Sequence, residues 1–99
     1  MSDRMKLSAD TRFRLKPDVA FQALGPEEES VVLSLESGQL YTGNATATFF
    51  LDAVKRGQSL GEAAQALCEG FEVAPEHALA DLQQLARQLL AEGLVETVP

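Results

Sequence analysis

The side chains that most often carry out chemistry are scarce in this sequence and poorly spaced for it. His77 is the only histidine and Cys68 the only cysteine, which removes zinc sets built from His and Cys and leaves no redundancy for a Cys-His or Ser-His pair. His77 stands beside Glu76 in the predicted first turn of a helix, a solvated surface position. Cys68, within AQALCEGF, reads as one small apolar residue among several. The run Glu27-Glu28-Glu29 falls in a predicted turn, where nothing spaces its carboxylates onto a concave surface that could hold a metal. No G-x-G-x-x-G and no other phosphate-cradling loop occurs. The expectation is a binding protein and not an enzyme, with no catalytic residue, metal or cofactor.

Charge narrows the class of partner. Residues 1–16 carry Arg4, Lys6, Arg12, Arg14 and Lys16 against Asp3 and Asp10, whereas residues 17–99 hold only Lys55, Arg56 and Arg87 against thirteen carboxylates. An acidic body repels phosphate backbones and lipid headgroups and favours basic or mixed-charge polypeptides, so neither nucleic acid nor membrane is expected. No apolar run approaches the roughly 20 residues of a membrane helix. The first residues lack the apolar centre of a secretory signal and the single cysteine offers no disulfide framework, which points to the cytoplasm.

The 99 residues suit one domain. Residues 1–17 read as a flexible polar segment that can order near Phe13 and Leu15, and residues 18–99 as the domain proper. VAFQAL, residues 19–24, has the β-branched and aromatic content of a strand. In SVVLSLE, Val31, Leu33 and Leu35 alternate with Val32, Ser34 and Glu36, the period of a strand with one buried face. Ser37-Gly38 then predicts a two-residue hairpin loop that sets Leu35 opposite Leu40 and Ser34 opposite Tyr41, with QLYT as the third strand. Asn44 is a good helix cap, followed by Ala47, Phe50, Leu51 and Val54 at helical spacing and by Gly57 as a stop. Ser59 and Glu62 have the spacing of a capping box for a second helix through Ala63, Ala64, Leu67 and Cys68. Pro75 opens a third, carrying Leu79, Leu82, Leu85, Ala86, Leu89 and Leu90 as far as Gly93, after which Leu94 and Val95 can drop onto the core. The fold class predicted is α+β and winged-helix-like: a three-stranded antiparallel β meander followed by three α-helices.

Two surfaces of this arrangement could bind. The third strand is short and uncharged and contains Leu40 and Tyr41, so its edge invites a peptide to add as a further strand, or a second copy to pair with it as a homodimer. Equally, the third helix or the N-terminal segment could cover it. On the third helix Leu82 and Leu89 point to the core, while Ala78, Asp81, Leu85 and Gln88 form a stripe beside them. That stripe either lines a groove against the third strand or is buried in a small core, and Asp81 also reads as an ordinary surface carboxylate near a helix start.

The run Tyr41-Thr42-Gly43-Asn44-Ala45-Thr46-Ala47, then a helix, Gly57 and the capping box at Ser59, resembles the PqqD family, which shows a tyrosine or similar residue before L-N-x-T-A. The family's later D-V/L-x-x-L-x-x-x-L-x-x-x-G-L appears here as Asp81-Leu82, Leu85, Leu89 and Gly93-Leu94, so the resemblance covers residues 19–96. Gly43 departs from it, standing where the family usually has leucine. The resemblance implies a recognition element of ribosomally made, post-translationally modified peptides (RiPPs), which binds the leader of a precursor peptide and delivers it to a modifying enzyme, a radical SAM or other maturase. Systems making PQQ, lasso peptides and other radical-enzyme products share such domains. Carried onto this chain, Gln39, Leu40, Tyr41 and Thr42 would provide the backbone edge and Ala78, Asp81, Leu85 and Gln88 the opposing wall. The alternatives are a winged-helix DNA-binding regulator and a general protein-protein adaptor. The first is disfavoured because the third helix offers Arg87 against Glu76, Asp81 and Glu92.

Overall fold

Alternating and helical apolar spacing in one short chain must share a single core, and among the described residues two antiparallel sheets and three helices do so. The structure, a computed structural model, describes residues 7–25 and 29–98. In chain order the elements are β1 (Arg12–Leu15), β2 (Val19–Ala23), β3 (Ser30–Ser34), β4 (Leu40–Gly43), α1 (Ala45–Lys55), α2 (Leu60–Phe71), α3 (Pro75–Ala91) and β5 (Val95–Val98). Strands β2, β3 and β4 form the expected antiparallel meander, in that spatial order, ahead of the three helices.

The helix signals act as their chemistry requires. The Asn44 side chain accepts from the Ala47 amide at 2.9 Å to open α1, which buries Ala47, Phe50, Leu51 and Val54. Ser59 and Glu62 close a reciprocal capping box at the start of α2, with bonds of 2.8 and 3.1 Å. Pro75 occupies the first turn of α3, where its missing N–H costs nothing. Gly57 and Gly93 follow α1 and α3 in the left-handed region, at φ 78° and 74°, conformations a side chain would resist.

The N-terminal segment differs from the expectation of a flexible lead-in ending at residue 17. Residues 12–15 are a strand paired with β5, Arg12 opposite Val98 and Leu15 opposite Val95, making a second sheet. RFRL alternates cationic and apolar side chains, so a segment polar on average still has one apolar face. Phe13 is only 2% exposed and meets Phe50 edge-on, ring centroids 5.8 Å apart. On the other face Arg14 pairs with Glu96 at 2.6 Å, and Arg12 reaches Glu62 and the Gly57 carbonyl. Leu7 is buried as well, its carbonyl accepting from Gln83 Nε2 at 2.8 Å. Arg4, Lys6, Glu27 and Glu28 lie outside the described residues.

The β3–β4 hairpin differs too. Leu33 lies opposite Leu40 and Val32 opposite Tyr41, two residues from the expected register, and the chain turns through Leu35 to Gly38 rather than through two residues. The even offset keeps each side chain on its original side of the sheet. The buried side is nonetheless the opposite of the one expected: Ser30 and Val32 are buried, Val31 and Leu33 half-buried, and Leu35 is 63% exposed. Alternation separates the two faces of a strand without saying which one the helices cover. Phe21, Val32 and Tyr41, in register across the three strands, form the covered face.

Candidate functional site

Among the described strands β4 has a neighbour on one side only, β3. The ladder shows which of its backbone groups are free. Ser34 N–H donates to the Gln39 carbonyl at 3.0 Å, which makes that pair a hydrogen-bonded one. In an antiparallel ladder bonded and non-bonded pairs alternate, so Tyr41 and Gly43 turn their N–H and C=O toward β3, and Leu40 and Thr42 turn theirs toward the open edge. The β2 side agrees, since Leu35 N–H donates to Asp18 O at 2.8 Å and Leu24 N–H to Glu29 O at 2.9 Å.

Facing this edge is α3. A cleft of ≈ 150 Å³ lies between them, lined among others by Val32, Tyr41, Thr42, Leu85, Gln88 and Leu89. A second hollow, sharing Leu85 and Gln88, continues past Asn44 and Thr46 on one side and Asp81 and Gln84 on the other. Together they form a trough along one face of α3 with an apolar floor and amide and hydroxyl groups at its rim. Glu92 lines the first part and Asp81 the second, and among the described residues no basic side chain lines either. Such a trough suits an extended chain of neutral or basic character.

Of the eight residues singled out in the sequence, Tyr41, Thr42, Asp81, Leu85 and Gln88 come together here. Leu40 and Thr42 both contribute backbone at the edge, since ladder parity turns their side chains to the face away from the helices, where Leu40 is 62% exposed. Gln39 stands outside the edge: its carbonyl accepts from Ser34 and its amide donates to Ser37 Oγ at 3.2 Å, within the hairpin. Ala78 is fully buried against the core and takes no part in the trough surface. Sequence reasoning passed over Val32, Gln84, Leu89 and Glu92 on the wall, and Asn44 and Thr46 at the far end. Gln84 was within reach, four residues before Gln88 on the same helical stripe.

Gly43 has a local reason. A Cβ there would stand 3.0 Å from Ala47 Cβ and 3.1 Å from Ser30 Oγ, so glycine lets the end of β4 lie close on α1 and on β3. Ser30 Oγ beneath it is buried and has no hydrogen-bond partner among the described residues.

The remaining chemistry-bearing side chains lie elsewhere. His77 is exposed, and Cys68 Sγ donates to the Val73 carbonyl at 2.8 Å beside a hollow of ≈ 230 Å³ between α2 and α3. Among the described residues no group of three His, Cys, Asp or Glu side chains could hold a metal ion, and no helix is long and apolar enough to cross a membrane.

Residues 29–95 match the family model for coenzyme PQQ synthesis protein D (PqqD). No match was found among curated protein sequences. Among solved structures, TbiB1 in complex with the TbiA(beta) leader peptide is similar, with a TM-score of 0.77 and 22% identity over 84% of this chain and 94% of that one. Lasso peptide synthetase B1, complexed with the leader peptide, gives a TM-score of 0.74 and 28% identity over 89% and 99% of the two chains. The PqqD truncation of Methylobacterium extorquens PqqCD, a stand-alone RiPP recognition element solved by NMR, gives 0.75 and 20% over 95% and 98%.

Proposed function

The chain belongs to the PqqD family, and on that premise we propose that it binds the leader region of a ribosomally made precursor peptide and delivers it to a modifying enzyme, a radical SAM or other maturase. The leader adds as a fourth strand beside β4, its backbone bonding to the outward N–H and C=O groups of Leu40 and Thr42, and lies in the trough against Asp81, Leu85 and Gln88 of α3. The observation that carries this reading is a strand edge without a neighbour among the described strands, directly across from a half-buried leucine and a glutamine on α3. Binding by main-chain hydrogen bonds explains why the site needs no catalytic group: affinity comes from the strand ladder and discrimination from the alternate side chains that enter the cleft.

The test is a titration of a synthetic leader, taken from the precursor encoded with this protein, into isotopically labelled protein. Amide shifts concentrated at residues 40–43 and 81–92 are expected. Shifts absent from both segments at saturating peptide would refute the assignment.

A further inference from the structure

The outer face of the β2–β3–β4 sheet, turned away from the helices, should be polar if it only meets water. It is not. Ladder parity places Ala20 and Gln22 of β2, Val31 and Leu33 of β3, and Leu40 and Thr42 of β4 on that face. Leu24 and Leu35 extend it at opposite ends, where Leu24 pairs with Glu29 and Leu35 with Asp18 through backbone bonds. Leu24, Leu35 and Leu40 are 60%, 63% and 62% exposed, three of the five most exposed large apolar side chains among the described residues. They share one face, which isolated surface leucines do not.

The charge around this face selects its occupant. No Lys or Arg occurs from residue 17 to residue 54, the stretch that supplies all three strands, whereas Asp18, Glu29 and Glu36 flank the apolar positions. Lys55, next in the chain, lies over the Phe21 ring on the covered side. A second copy packed face to face would set these carboxylates against their own counterparts. A partner offering apolar side chains inside a rim of lysine or arginine meets both features at once.

We infer that this outer face is the docking surface for the modifying enzyme, which engages it through an apolar patch with a basic rim. The inference rests on the proposed leader-binding role. It also gives that role a mechanism of delivery: a strand added at β4 would continue the same face with its own alternate side chains, so the enzyme would meet the domain and its bound leader as one sheet. Leader and enzyme would then bind with positive coupling, each raising the affinity for the other by the same factor.

The experiment compares wild type with the double variant Leu24→Asp and Leu35→Asp, and with Leu35→Ser alone as a milder change, both at exposed positions outside the trough. The probe is the maturase encoded with the same precursor, immobilised for biolayer interferometry with and without saturating synthetic leader. Leader affinity of each variant is measured separately by fluorescence anisotropy. The double variant should lose about tenfold or more in enzyme affinity while leader affinity and circular dichroism stay unchanged. Wild-type binding should also weaken as salt rises from about 0.05 to 0.5 M. Enzyme affinity unchanged in the double variant overturns the inference and leaves leader recognition standing. Failure of the wild type to bind leader removes the premise itself. A wild-type dimer that becomes monomeric in the double variant assigns the face to a second copy and also overturns it.

Discussion

Replacing Thr42 by proline separates the strand edge from the strand. The Thr42 N–H points away from β3, so its loss breaks no bond of the β3–β4 ladder, and an edge strand tolerates proline where its N–H faces outward. The preceding Tyr41 is already in a strand, the conformation proline requires of its neighbour. In the complex the same change removes one of two outward donors and leaves a leader carbonyl unpaired inside the trough. An unsatisfied, partly desolvated carbonyl costs about 1–3 kcal/mol, which corresponds to an affinity about 5- to 150-fold weaker. Proline at Tyr41 is the contrasting case, since it removes a donor that bonds to β3 and should lower stability instead. Calorimetric titration of a synthetic leader, with thermal melts of each variant, reads both quantities. Thr42→Val keeps the donor and should bind as wild type. If Thr42→Pro melts like wild type and binds leader equally well, the added strand does not pair with β4 and the proposed mode of recognition is wrong.

Four further outcomes follow from the packing. Leu85→Glu puts a carboxylate on the apolar wall between Asp81 and Glu92, and should weaken leader binding by about tenfold or more in the same titration. Phe13→Ala should cost about 3–5 kcal/mol in urea unfolding, because the ring is buried against Phe50; a loss under about 1 kcal/mol would return β1 to a dispensable arm. Gly43→Ala should lower the melting temperature, since its Cβ would crowd Ala47 and Ser30 at 3.0 and 3.1 Å. Glu62 titrates below its ordinary value of 4.5, first through the Ser59 backbone hydrogen bond and then through Arg12. A lowered folded value means that its stabilisation is complete above 4.5 and is lost as pH falls through the lower folded value, so the acid limb of a melting-temperature profile should flatten in Glu62→Gln.

What could be read from the sequence was whatever chemistry is local. Asn44, the Ser59–Glu62 pair, Pro75, Gly57 and Gly93 each satisfy or terminate a helix through atoms within a few residues, and all five helix-end signals hold in the fold. What escaped was set by contacts distant in the chain. Arg12–Leu15 becomes a strand only because Val95–Val98 returns beside it, a pairing that no window of residues contains. The choice of the Val32 face over the Leu33 face depends on where the helices settle, since β3 offers an apolar side chain on each face, Val32 between Ser30 and Ser34 on one and Val31 and Leu33 on the other. The same limit decided the site. Helical spacing drew Ala78 into a stripe with Asp81, Leu85 and Gln88, but that stripe dips into the core at its first turn, so only its later members reach the trough. The apolar residues on the two faces of β3 now have separate explanations. One is consumed by the core through Val32; the other, bearing Val31 and Leu33 beside exposed Leu35 and Leu40, has no covering element among the described residues. A sheet that used β4 only as an edge would not need that second face to be apolar, and a partner docking on it gives those leucines a role that water does not.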